Sequence, residues 1–221
     1  MSTILSCQNL IKMYGEQEVL KGVSLDINSG DFMAVVGQSG SGKSTLLYLL
    51  SGLEKPTNGE VLLEGKSILN LKDKEVSQLR LHKYGFVFQF YNLIENLTVA
   101  ENIMYPLMMD KKIKKEEAKK MVQEVAEKVN LADKLKKYPF QLSGGEQQRV
   151  SIARAIITSP SIIFADEPTG NLDSKMGLEV MDLLSSINKE YNTTIIMVTH
   201  NDSLNNYFNR IVTIKDGKIY E

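Results

Sequence analysis

The 221-residue sequence predicts an α/β fold with a mostly parallel core sheet, antiparallel strands near the N-terminus, and a helical lobe inserted between core strands. Three observations carry this expectation. A strand, a glycine-rich loop and a helix follow one another from Phe32 to Leu50. Two runs, Ser161 to Ala165 and Thr194 to Thr199, are apolar along most of their length instead of alternating, as parallel strands covered on both faces are. A long apolar and then lysine-rich stretch, Phe90 to Lys137, lies between core strands, and its later part has helical spacing.

From the N-terminus, the apolar segment Ile4 to Leu10 contains the one cysteine, Cys7, which reads as a core thiol in a reducing compartment. Tyr14 reads as half-buried packing on residue type alone, with stacking on an adenine ring as the alternative. Ser24 to Ile27 alternates and Asn28-Ser29-Gly30 breaks the run, which predicts a strand and a turn. Phe32 to Val36 is the short buried strand, and Ser44 to Leu50 is the helix, stopped near Gly52. Asn58-Gly59 then reads as a turn before another short strand, Val61 to Gly65.

The loop between strand and helix is Gly37-Gln38-Ser39-Gly40-Ser41-Gly42-Lys43-Ser44-Thr45, a match to G-x-x-x-x-G-K-[S/T]. Its three glycines let the backbone curl until successive N–H groups point inward, and the helix N-terminus adds roughly half a positive charge beneath them. That combination selects a phosphate chain over a plain connecting turn. Lys43 would reach the β- and γ-phosphates of a nucleotide, and the Ser44 hydroxyl would bind the accompanying Mg²⁺.

Tyr84 to Phe88 is apolar and aromatic and stops at Gln89, a neutral amide able to bind a metal or a water. From Phe90 to Met109 the chain is rich in apolar residues, which either fill the core of a helical lobe or offer a partner-docking surface. Lys111 to Lys137 contains ten lysines and five acids, a local excess of +5. Ala118, Met121, Val122, Val125 and Val129 recur there at helical spacing, so the lysines fall on the wet face of an amphipathic helix. A second glycine pair, in Leu142-Ser143-Gly144-Gly145-Glu146, opens the helix that runs to Ile156; Ser143 caps it and its free amides seek an anion.

The strand Ser161 to Ala165 delivers Asp166-Glu167 to its C-terminal end. Adjacent strand residues point opposite ways, so Asp166 can hold Mg²⁺ while Glu167 turns toward an attacking water. Gly170 to Asp173 leads into a helix, and the strand Thr194 to Thr199 ends at His200. His82 lies among charged residues and reads as surface. Arg210 to Lys215 and Lys218 to Tyr220 form a hairpin around Asp216-Gly217.

Charge is nearly balanced, with 26 Lys+Arg against 27 Asp+Glu and a pI near 6.2, which gives no electrostatic footing for a nucleic-acid partner. Apolar runs fall short of the roughly 18 residues that span a bilayer, so a membrane role requires a partner.

In their order, the phosphate loop, Gln89, Leu142 to Glu146, Ile162 to Glu167, Asn171-Leu172-Asp173 and His200 resemble the ATP-binding subunits of ABC transporters over nearly the whole chain. The segments Phe88 to Leu93 and Ala165 to Asp173 look like the subgroup serving lipoprotein release, macrolide export and antimicrobial-peptide resistance. The cell-division ATPase of this superfamily is similar too, and soluble repair or translation ATPases are the other class weighed. The resemblance implies one ATPase domain over residues 1–221 of phosphate-loop NTPase type, with a helical subdomain at about 90–160, and ATP with Mg²⁺ as ligands. It implies that Tyr14 stacks on adenine, that Gln89 senses Mg²⁺ and water, that Glu167 is the catalytic base and that His200 contacts the γ-phosphate. Ser143 to Glu146 would face ATP held by a second copy in a head-to-tail dimer, and Asp173 is implied to be a further nucleotide-binding residue. An integral membrane permease is the further partner, at the cytoplasmic face of the membrane.

Overall fold

Two twelve-residue strands, β1 (Thr3–Tyr14) and β2 (Gln17–Asn28), pair antiparallel across the two-residue turn Gly15-Glu16. Gly15 takes φ 60, the positive value a tight hairpin needs at its first central residue. The computed structural model describes residues 2–110 and 112–220; Lys111, which heads the lysine-rich stretch, lies outside them. The other edge of β1 holds β4 (Asn58–Leu63), followed by β5 (Lys66–Ser67), giving the order β2-β1-β4-β5. The sequence pattern of β1 is broken at Asn9, whose φ is 48, and the register shifts there against both neighbours. Gly59, expected in a turn, sits inside β4 against this irregularity. A Cβ on it would lie 2.4 Å from the Asn9 carbonyl oxygen, so only glycine lets the strands approach.

The chain divides into two units, Met1–Gln78 with Ile187–Glu221, and Leu79–Ser186. In the first, β3 (Phe32–Val36) lies between β8 (Thr194–Val198) and β9 (Arg210–Lys215), parallel to both. Phe32 to Val35 and all of β8 are buried, which is why neither strand alternates in sequence. β9 turns back into β10 (Lys218–Tyr220) through Asp216 at φ 50 and Gly217 at φ 76, the paired positive values of a two-residue hairpin turn. Helix α1 (Lys43–Leu50) ends at Ser51 and Gly52, the latter at φ 65.

In the second unit β6 (Tyr84–Phe88) pairs parallel with β7 (Ile162–Asp166), and Tyr84, Phe86 and Phe164 pack their rings together. Helix α5 (Gly144–Ile156) crosses close to β6: a Cβ on Gly85 would lie 2.6 Å from the Ala155 carbonyl oxygen. Helices α3 (Val99–Met109) and α4 (Lys115–Lys128) share a core with α5 through Val99, Ile103, Leu107, Ala118, Val122 and Val150. Of the apolar stretch from Phe90 to Met109, Val99, Ile103 and Leu107 are core, Leu93 and Met104 pack half-buried against it, and Phe90, Tyr105, Met108 and Met109 are exposed. Two further helices are α2 (Asp73–Lys83), which buries no residue and gave no sequence signal, and α6 (Ser174–Tyr191). His82, on α2, is exposed as expected, 3.9 Å from the Asp110 carboxylate. Cys7 is buried, which pushes its thiol up to about 12. No helix among the described residues is long and apolar enough to cross a membrane.

Candidate functional site

The loop between β3 and α1 is an anion cradle in its backbone. Gly37, Gly40 and Gly42 stand at φ 154, 77 and 104, and Gly42 is the N-cap of α1 without any side-chain cap on the helix amides. A Cβ at Gly37 would lie 2.2 Å from the Ile214 carbonyl oxygen, and one at Gly42 would lie 2.9 Å from Leu20, so side chains are excluded by packing as well as by φ. Lys43, only 7% exposed, turns its ammonium back over the loop and donates to the Gly37 and Gln38 carbonyls at 2.9 Å each. The Ser41 hydroxyl is buried and has no hydrogen-bond partner among the described residues. A buried cation already above the loop, an orphaned hydroxyl and a set of uncapped helix amides fit a phosphate chain, whose oxygens accept from all three. Ser44 and Thr45 follow in the first turn of α1, half-buried.

Around this loop the first unit gathers two more of the expected residues. Tyr14, at the end of β1, is 47% exposed and donates its hydroxyl to Glu54 at 2.6 Å, while the Lys12 ammonium lies 4.9 Å from its ring centroid. Partial burial and then the Glu54 carboxylate raise the pKa of Tyr14, opposed by a hydrogen bond from Thr45, which links the ring to α1. His200 follows β8, two residues past Val198, which is in register with Val35; it therefore leaves the sheet on the same edge as the loop. Beside the loop a cleft of about 470 Å³ is walled by the start of β2 and by the β9–β10 turn.

The second unit gathers the remaining residues. Phe88 pairs with Asp166, so Gln89 and Glu167 emerge side by side at the C-terminal ends of β6 and β7. The strand stops at Asp166, and Glu167 takes φ 45, its carbonyl accepting from the Gly170 amide at 2.9 Å. The direction of Glu167 is thus set by a left-handed turn; the strand alternation expected from sequence does not reach it. Gln89 is fixed by Asn171 twice, its side-chain amide donating to Asn171 Oδ1 at 3.0 Å and its carbonyl accepting from Asn171 Nδ2 at 3.1 Å. Gly170 admits this contact, since a Cβ there would lie 2.9 Å from Gln89 Nε2.

Ser143 caps α5 through a reciprocal box: its hydroxyl accepts from the Glu146 amide, and Glu146 accepts from the Ser143 amide at 2.7 Å. Gly144 and Gly145 lie tight against Tyr91 and Met176, and Asp173 caps α6 by accepting from the Met176 amide at 2.9 Å. The turn before α6 and the start of α5 therefore form one packed surface. Lys134, 2.5 Å away, and then the Ser143 donors hold the Glu146 carboxyl down to about 2. Because this folded value lies below the ordinary 4.5, Glu146 contributes stability above that pH and loses it as pH falls toward 2. Glu146→Gln should lower stability at neutral pH and flatten its dependence across that acid window. Urea unfolding at a series of pH values measures this, and an unchanged acid limb would refute the pairing.

Two residues of this site, Arg154 and Asn102, had no sequence signal because each binds mainly backbone, and Asn171, quoted from sequence only as part of a motif, gains its role from the Gln89 contact. Arg154 donates to the Tyr91 and Asn92 carbonyls, and the fully buried Asn102 gathers the carbonyls of Ile94, Leu97 and Thr98 and the amide of Ile94.

The family described as "ABC transporter" matches residues 20–170. The lipoprotein-releasing system ATP-binding protein LolD of Aquifex aeolicus is 49% identical over 219 residues, spanning 99% of this chain and 97% of that protein. The bacitracin export ATP-binding protein BceA of Halalkalibacterium halodurans is 45% identical over 221 residues, spanning 98% of this chain and 87% of that protein. Among solved structures, an ATP-binding cassette in a dimeric post-hydrolysis state bound to ADP and Pi superposes with a TM-score of 0.90 at 41% identity, covering 99% of this chain and 97% of that one. With a phosphate cradle of this geometry and relatives matched nearly end to end, the chain belongs to the ABC transporter family, as an ATP-binding cassette that hydrolyses ATP.

Proposed function

We propose that this cassette closes on ATP as a head-to-tail pair and reopens on hydrolysis, driving a separate integral membrane permease from the cytoplasmic face. The observation that carries the reading is the presence in one chain of two helix N-termini that follow glycine-rich segments, the uncapped start of α1 in the loop Gly37–Thr45 and the start of α5, which Ser143 and Glu146 cap. A twofold dimer sets each of these opposite the other's counterpart, so one triphosphate satisfies both. In this reading Tyr14 stacks on adenine, and the loop amides with Lys43 hold the phosphates. Ser44, Gln89 and Asp166 would hold Mg²⁺, a hydroxyl, amide and carboxylate set that leaves other positions to phosphate and water. Mg²⁺, when bound there, would supply positive charge against the phosphate oxygens. Glu167 takes the proton of the attacking water, and His200 donates to the γ-phosphate. Ser143 to Glu146, with Asp173, act on the nucleotide of the second copy.

The permease docks near Gln89 to Leu107, where Phe90 is 73% exposed beside the Gln89 turn. Lipoprotein release and bacitracin export are the roles of relatives, and the cargo is handled by the permease. Nucleic acid has no part in the reading. Specific ATPase activity should rise with protein concentration, because each site borrows the start of α5 from a second copy. A specific activity that stays flat on dilution far below the dimer affinity would mean that one chain holds a complete site.

A further inference from the structure

We propose that Arg154 is a positioning residue for Gln89: its guanidinium clamps the loop after Gln89 to α5, so that the metal-facing amide and the start of α5 move as one piece. The inference rests on the reading of Gln89 as a ligand of Mg²⁺. Arg154 Nη1 donates to the Asn92 carbonyl at 2.7 Å and Nη2 to the Tyr91 carbonyl at 2.9 Å. The two carbonyls are brought to one fork because Tyr91 and Asn92 stand at φ 60 and 50, consecutive left-handed residues that are not glycine. Such a pair is strained and persists only where the surroundings fix it. Burial depresses the pKa of Arg154, the mark of a cation drawn out of water to meet these carbonyls.

The same loop touches α5 a second time. The Tyr91 hydroxyl lies so near Gly144 that a Cβ there would be 2.8 Å from it. At its other end the loop is held by Asn171, which grips both the side chain and the carbonyl of Gln89. Gln89 is therefore tied on one side to the turn after Glu167 and on the other, through Arg154, to the helix that Ser143 caps. Removing the guanidinium leaves the Asn171 tie and the packing of Tyr91 on Gly144, and the Tyr91 and Asn92 carbonyls lose the donors that Arg154 supplies. Lysine keeps the charge but lacks the planar fork that spans two acceptors.

The test compares Arg154→Gln and Arg154→Lys with the parent in two measurements: Mg²⁺ dependence of steady-state ATP turnover, and affinity for a fluorescent ATP analogue without turnover. The expected result is a several-fold rise in the Mg²⁺ concentration for half-maximal turnover, larger for Gln than for Lys, with analogue affinity unchanged. In a Gln89→Ala background neither substitution should add to the shift. A purely structural arginine would instead lower analogue affinity and melting temperature together and leave the Mg²⁺ dependence alone, overturning the inference. Should Arg154→Gln fail to fold, Arg154→Lys carries the test, and a Mg²⁺ requirement equal to the parent's overturns it. Gln89→Ala separates the premises. If that variant leaves the Mg²⁺ dependence unchanged, the metal reading of Gln89 fails; if it shifts the dependence while the Arg154 variants do not, the clamp fails.

Discussion

Lys43→Ala should lose at least tenfold in affinity for Mg-ATP. A charge-assisted hydrogen bond is worth about 1.5–3 kcal/mol, and each 1.4 kcal/mol is a factor of ten in binding. In the folded chain the Lys43 ammonium rests on the Gly37 and Gln38 carbonyls, so nucleotide binding exchanges two neutral acceptors for anionic phosphate oxygens. The substitution removes this gain and also unties two carbonyls of the loop. These effects are separable: loss of the brace shows in the melting temperature of the free protein, whereas loss of the phosphate contact shows in nucleotide titration. An unchanged affinity would contradict the phosphate-cradle reading of the whole Gly37–Thr45 segment.

That segment was readable because its signals are local. Three glycines, a lysine and a preceding buried strand specify backbone shape and charge within a few residues, and the hairpin at Asp216-Gly217 is specified in the same way by its turn. β3, β7 and β8 were readable because burial on both faces writes an unbroken apolar run. The full length of β1 was hidden by the irregularity at Asn9, which shifts the alternation midway along the strand. Helix α2 was hidden because it buries no side chain and so has no apolar stripe to read. The residues that shape the Gln89 loop were hidden for a different reason. Arg154 and Asn102 bind mainly carbonyls, which have no identity in a sequence, so their partners exist only after the chain has folded. Glu167 shows the limit from the other side: its residue type suggested the chemistry, but its direction depends on a turn closed by Gly170.

Glu167→Gln should cut ATP turnover by about 10²–10⁴-fold, the usual cost of removing a general base. Glutamine keeps the length of the side chain and tolerates the same φ of 45, so the turn to Gly170 should survive and only proton acceptance is lost. The substitution also takes one negative charge from a site that must accommodate phosphate oxygens, which favours the nucleotide-bound state. ATP should still bind through the contacts proposed for Lys43, Ser44 and Asp166, while the step that reopens the pair would be blocked. Size-exclusion chromatography with Mg-ATP should therefore give a stable dimer for the variant and mostly monomer for the parent. Asp166→Asn provides the contrast. It weakens the site proposed for Mg²⁺, so nucleotide affinity falls and no trapped dimer accumulates. Near-parental turnover in Glu167→Gln would move the base role elsewhere, with His200, on the same sheet edge as the phosphate loop, the first residue to test.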